Sequence, residues 1–280
     1  MIPAMKAADS KTSATRGKAA AAQPRRRGRP SKSEPAARGS GGLEISKQAI
    51  HQRAAEMARS EPLSEISIAA LAKHFGVTTT LIHYYVGSRD ALVSGIVNRY
   101  FQERVSRLRP LAGDWRADLE AHARVTYDCM CEHGGVLRYL MSHNRNRLFQ
   151  QVQEGETDYG LVYLNRVAQI FEHGGFTPAQ AAMGYHLLAQ YVMGAAYAAV
   201  NRQLPGQHAE FISARIEQAP ASEYAGVHFF AQPFSRIDAA DAFDQGLQIL
   251  LDGFAAWLGG ATARPSGKAR KAATSRSPVI

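Results

Sequence analysis

Thr78, Thr79, Thr80, His83 and Tyr84 place three hydroxyls, an imidazole and a phenol within two helical turns. Short hydroxyls and polar aromatic groups at this spacing suit phosphate oxygens, base edges and thymine methyls, so the chemistry they offer is recognition of duplex DNA. Turnover chemistry has no comparable signal. The chain has no glycine-rich phosphate loop, nucleophile elbow or helical His-Glu pair with metal spacing, and its 10 histidines are scattered. His133 and His173 each precede Gly-Gly at a predicted helix end, where the dipole favours an imidazole. Cys129 and Cys131 stand two apart on a predicted helix, point to different faces and make no ordinary metal pair. No catalytic residue, metal or cofactor is expected.

The elements that must position the five residues are legible around them. Ser67 to Tyr85 reads as two short helices joined at Gly76, the residue type that takes positive φ where a helix ends and the chain turns away. Ala72 is small enough for a close helix crossing, and Leu71, Phe75, Val77, Ile82 and Tyr85 supply the faces that fix the angle. The second helix runs from about Thr78 to Tyr85. Upstream, Ser46 caps a helix over Ile50, Ala54 and Met57 that reaches Arg59, with Ile45 stapling against Ile50. Ile66-Ser67 repeats the device. Downstream, Ser88 caps a long connecting helix with Asp90 in its first turn, and Arg109-Pro110 stops it.

Residues 45–97 resemble the N-terminal DNA-binding domain of the TetR family of transcriptional regulators. The resemblance is carried by the helix over Ile45 to Ala58, by Ile68-Ala-Ala-Leu-Ala-Lys-His-Phe-Gly-Val77, and by Leu81-Ile-His-Tyr-Tyr-Val-Gly-Ser-Arg-Asp-Ala-Leu92. The last is similar to the family's Leu-Tyr-x-Tyr-Phe-x-x-Lys-x-x-Leu signature, with His83, Val86 and Arg89 in place of Tyr, Phe and Lys. The resemblance implies recognition contacts from Thr78, Thr79, Thr80, His83 and Tyr84, and phosphate contacts from Lys47, Ser67 and Arg89. Ser67 and Ser88 also stand at helix N-termini, whose free amides attract phosphate.

The net charge of +9 belongs to the tails. Residues 1–42 carry +8 and residues 261–280 carry +5, leaving the body at −4, so basicity of the fold is not the argument for DNA. Both tails read as disordered. Within the first, Arg25-Arg-Arg-Gly-Arg-Pro-Ser-Lys32 resembles an AT-hook: Gly28 permits close approach, Pro30 keeps the chain extended, and Arg27 and Arg29 meet the negative potential of a narrow minor groove. A basic arm that binds phosphates without sequence preference is the alternative.

Residues 43–108 read as the DNA-binding domain and 109–260 as an all-helical effector-binding and dimerisation domain, so the fold class is all-α. Helices are expected over 115–132, 136–150, 157–172, 178–201, 207–218 and 237–258. His173-Gly-Gly175 closes one, and Thr177-Pro-Ala-Gln180 opens the next with a capping box. The 178–201 helix, rich in small residues, and the last helix, with Phe243, Leu247, Leu250, Leu251, Phe254 and Trp257, are too apolar all round for surface helices. The resemblance implies that they form a four-helix homodimer interface. An effector pocket is expected among the others, with His186 and Gln190 as its polar anchors and Tyr127, Tyr163 and Met193 among its walls. Met130, Tyr139, Met141, His143, Phe149 and Phe171 are further wall candidates. Residues 219–235 read as a loop bearing Tyr224, Phe229 and Phe230, a pocket lid or packing flap. The most apolar run, Ala179 to Val200, is interrupted by Gln180, His186 and Gln190, so no membrane segment is expected and the chain reads as cytoplasmic.

The expected partners are an operator duplex, a small-molecule effector and a second copy. A repressor released by its ligand is favoured over a ligand-dependent activator by the resemblance alone. An architectural DNA-binding protein acting through its basic arm is the competing class.

Overall fold

A computed structural model of the chain describes residues 37–38, 44–142 and 150–260. Arg27 and Arg29, the first tail except Ala37–Arg38, the whole second tail, and the wall candidates His143 and Phe149 lie outside the described residues.

Four helices form the head: α1 (Lys47–Met57), α2 (Ile68–Phe75), α3 (Thr79–Val86) and α4 (Arg89–Ser106). Each starts at a hydroxyl cap. Ser46, Ser67, Thr78 and Ser88 accept from the amides of Ala49, Ala70, Leu81 and Ala91 at 3.1, 3.1, 3.3 and 3.1 Å, which satisfies donors that the first turn leaves free. Between α2 and α3, Gly76 takes φ 65° and ψ 39°. The Val77 amide closes back on the Ala72 carbonyl at 3.0 Å, so one residue of left-handed backbone reverses the chain. Ile50, Leu71, Phe75, Ile82, Leu92, Ile96 and Val97 close a common core beneath the turn, and Ile45 is buried with them. Upstream, Ala37–Arg38 pairs antiparallel with Glu44–Ile45, so pairing with the head begins before the expected boundary at residue 43.

The body contains α5 (Trp115–Glu132), α6 (Gly134–Ser142), α7 (Tyr159–His173), α8 (Pro178–Val200), α9 (Ala209–Glu217), α10 (Ala225–Phe234) and α11 (Ala239–Gly260). α5 lies against α7, α8 and α11, and α8 against α11. The capping box at Thr177 forms as its residues require, with the Gln180 amide donating to Thr177 and the Thr177 amide to Gln180. One expectation fails. Residues 219–235 are not a loop, because α10 occupies most of them; it follows a turn in which the Tyr224 amide reaches the Pro220 carbonyl at 3.0 Å. Pro205-Gly206 starts a 3-10 turn that leads into α9.

α4 joins the two parts. Its first half buries Leu92, Val93, Ile96 and Val97 in the head, and its second half buries Tyr100, Phe101 and Arg104. Eighteen residues make it about 27 Å long. A second junction forms where α6 meets the end of α1: a Cβ at Gly135 would overlap the carbonyl oxygens of Glu61 and Ala58, so only glycine permits this backbone approach. Arg138 adds a bond to the Ser60 carbonyl at 3.2 Å.

Candidate functional site

The first candidate surface is the outer face of α3. Thr78, Thr79, Thr80, His83 and Tyr84 are all exposed there, Tyr84 to 68%. Their roles differ. Thr79 and Thr80 sit in the first turn of α3, on a helix whose opposite face is pinned by Ile82 and Val86. Thr78 is the N-cap, so its oxygen already accepts the Leu81 amide and its hydroxyl hydrogen remains to donate. His83 bonds through Nδ1 to the Gly87 carbonyl at 2.9 Å, which makes Nδ1 the donor and leaves Nε2 as an acceptor on the neutral ring. Tyr84 packs edge-on against Tyr85.

The residues expected to grip phosphate separate in the same way. Ser67 caps α2. Arg89 donates to the carbonyls of Ile66, Leu63 and Ser64 at 3.3, 3.0 and 3.2 Å. Its guanidinium therefore clamps the segment that leads into α2 and positions the helix-turn-helix unit. Lys47, at the start of α1, donates to Gln153 at 2.7 Å and pairs with Glu156 at 2.5 Å, both in the segment before α7. The Lys47 hydrogen bond holds the Glu156 carboxylate below its ordinary range. That ion pair ties the first helix of the head to the body.

The second candidate site is a cavity lined by α4, α5, α6, α7 and α8. Phe101, Ala123, Met130, Leu140, Val167, Leu188 and Val192 make an apolar wall, and Arg104, His122, Thr126, Tyr163 and Tyr185 supply polar atoms. The centre of a water-sized sphere can move over about 20 Å³ within it, little more than one such sphere needs. Arg104 is 3% exposed, and among the described residues no carboxylate pairs with it. It donates to the Tyr163 hydroxyl at 3.0 Å and lies over the Tyr163 ring at 4.1 Å, while its Nε has no partner. Thr126 shares the same hydroxyl at 2.9 Å. His122, also 3% exposed, has no partner on either ring nitrogen. Burial, reinforced by Arg104 and Arg166, lowers its pKa to about 3, so the ring is neutral at physiological pH.

The cavity corrects part of the sequence reading. Tyr163, Met193 and Met130 line it. His186 and Gln190 do not: both are exposed on the outer face of α8, because the small inward residues Gly184 and Ala196 leave room for Leu188 and Val192 rather than for polar anchors. Tyr127 stacks on Phe243 at 4.1 Å and belongs to the α5–α11 packing. Phe171 is ordinary core beneath Gly184, Tyr139 is partly buried against the core, and Met141 is 43% exposed. Arg104 and His122 were missed. Each falls on an apolar face, Arg104 after Val97, Tyr100 and Phe101, and His122 between Leu119 and Thr126, and a polar residue on such a face is the signal that would have found them.

A capped helix-turn-helix head carried on a long helix into an all-helical body with an internal cavity defines a class of DNA-binding regulator. The family model described as "Tetracyclin repressor-like, C-terminal domain" matches residues 109–258. The chain belongs to this family, the TetR family of transcriptional regulators. An HTH-type transcriptional repressor of Mycobacterium tuberculosis is 33% identical over 81 residues, which are 29% of this chain and 31% of that protein. The chain thus spans about a third of the length of the curated relatives it matches. Among solved structures, apo ActR from Streptomyces coelicolor shares the fold with a TM-score of 0.64 at 21% identity, covering 78% of this chain and 98% of that one. ActR in complex with actinorhodin gives 0.63 at 22%, covering 78% and 100%. A TetR variant from Acinetobacter baumannii in complex with minocycline gives 0.52 at 17%, covering 76% and 98%. None of the described helices is long and apolar enough to cross a membrane.

Proposed function

We propose that the protein is a ligand-responsive transcriptional repressor that binds a palindromic operator as a homodimer and is released by a small-molecule effector. One observation carries the reading: α4 contributes Leu92, Ile96 and Val97 to the head core and Phe101 and Arg104 to the cavity wall. A ligand that repacks the cavity acts on the helix that carries the DNA-reading surface. It shifts the population of head separations wherever ligand and DNA prefer different ones.

In this reading Thr79, Thr80, Tyr84 and His83, through an accepting Nε2, meet base edges, and the hydroxyls of Thr78 and Ser67 donate to the phosphate backbone. Arg89 positions α2, and Lys47 reaches phosphate only when it leaves Glu156. Arg27 and Arg29 in the arm over residues 1–42 extend the footprint. The head over 43–108 reads, and the body over 109–260 senses and dimerises. Support for the dimer comes from an exposed stripe on α8 (Met183, His186, Gln190 and Gly194) beside one on α11 (Gln245, Ile249 and Gly253). Their small residues allow close helix crossing about a two-fold axis. Two heads so joined read half-sites about 34 Å apart, one DNA turn.

Gel retardation on the upstream intergenic duplex, with salt titration, tests the proposal. Retention of the sequence preference after deletion of residues 1–42, at reduced affinity, is expected. Loss of all binding on that deletion identifies the protein instead as an architectural DNA binder acting through its arm.

A further inference from the structure

The cavity contains a fixed positive charge that has no negative partner among the described residues. Arg104 stays protonated in any protein environment, and burying such a charge unpaired is costly. Its bond to Tyr163 and its stacking on that ring offset part of the cost, yet Nε remains unmatched. Beside it His122 presents both a donor and an acceptor without partners, on a ring tilted over Tyr163 at 4.6 Å. The two groups are 97% buried by the same measure and face one space.

Guanidinium groups also stand beside that space. His122 also borders a second, adjoining cavity lined by Arg107, Arg109 and Arg166 with Leu108, Leu111 and Val125. The one acid there, Asp118, is taken up by the amides of Ala112 and Gly113 at 3.0 and 3.1 Å and by Arg109 at 3.8 Å. Arg107 is paired with Glu103 and Glu132 at 2.5 and 2.7 Å, so among the described residues Arg166 is the guanidinium of this lining without a carboxylate partner.

We propose that the effector cavity takes an aromatic carboxylate. The acidic group pairs with Arg104, a hydroxyl or carbonyl on the ring system bonds His122, and the flat body packs among Phe101, Tyr163 and the flexible Met130 and Met193. Those two thioethers yield the space that the closed cavity lacks. The assignment rests on the regulator reading only in calling this ligand the effector; the binding chemistry stands without it.

Calorimetric titration of the full-length protein with 2-naphthoate and with 2-naphthamide, matched in shape and differing in charge, tests it. Wild type is expected to bind the carboxylate at least about tenfold more tightly than the amide, the scale of a charge-assisted pair out of water. Arg104→Met should abolish that preference, and Arg104→Lys should retain a weaker one; melting curves identify any variant that fails to fold, and either variant suffices. Equal affinities, binding of neither compound, or a preference that survives Arg104→Met overturns the assignment. Gel retardation on the same preparations separates the two readings: sequence-specific DNA binding without a carboxylate preference sinks this inference alone. A carboxylate preference without sequence-specific DNA binding sinks the regulator and leaves the site.

Discussion

The helix caps of the head and the cavity of the body use polar side chains in opposite ways. In the head, Ser46, Ser67, Thr78 and Ser88 stand at helix starts where each satisfies an amide, Arg89 spends its donors on three carbonyls, and the hydroxyls of Thr79 and Thr80 face solvent. In the body, Arg104 and His122 sit in the middle of apolar packing with hydrogen-bonding atoms unmatched. Apart from His51 Nε2 and Arg53 Nε, which also lack partners, the head is finished in this way and holds its polar α3 face fixed. A body left unfinished gains stability when a ligand supplies the missing partners, and that gain is the free energy available for a switch.

Substitutions at the two centres should therefore move stability in opposite directions. Leu71→Ala, in the fully buried head core, is expected to cost about 2–5 kcal/mol and to take DNA binding with it. Arg104→Met, read in the same thermal melts, is expected to leave stability unchanged or raise it by about 1–4 kcal/mol, because a buried unpaired charge is replaced by an apolar chain of similar length. A large loss at Arg104 would mean that its partners already compensate it and that the comparison fails.

The pH dependence of folding sharpens the same contrast. Burial depresses His122 to about 3 and His51, packed under Gly95 in the head, to about 4, from an ordinary 6.5. Between those values the unfolded chain binds more protons, so stability is full above pH 6.5 and falls as the pH drops toward 4. His122→Phe should flatten the part of that slope due to the body and leave the part due to His51.

At the head surface, Thr78→Ala should cost about 1 kcal/mol through loss of the α3 cap. The smallest effect is expected at the junction. Breaking the partly exposed Lys47–Glu156 pair should change stability by less than about 1 kcal/mol, so any larger change in DNA affinity on Lys47→Met reports a phosphate contact.

The head was legible because its signals are local. Each cap precedes its helix by one residue, Gly76 marks the turn by its own backbone requirement, and the apolar spacing of α1 to α4 was visible over a few turns. The cavity was not, because its polar atoms come from α4, α5, α7 and α8, far apart in the chain. His186 and Gln190 show the limit: one helical turn apart on an apolar helix, they read as inward anchors, yet the packing of α8 on α5 and α11 turns them outward. α10 was hidden for a different reason. Phe229 is 89% exposed and no residue of α10 is buried, so that helix lacks the one-sided pattern that burial imposes.

Salt-titrated anisotropy on the upstream intergenic duplex and on a scrambled duplex, for wild type and for the Thr79→Ala, Thr80→Ala double variant, tests most directly that the outer face of α3 reads DNA. Wild type should prefer the upstream duplex by about a thousandfold or more. The double variant should lose most of that ratio while keeping the salt slope set by phosphate contacts. A wild-type ratio near one, or a double variant that keeps it, would contradict the account.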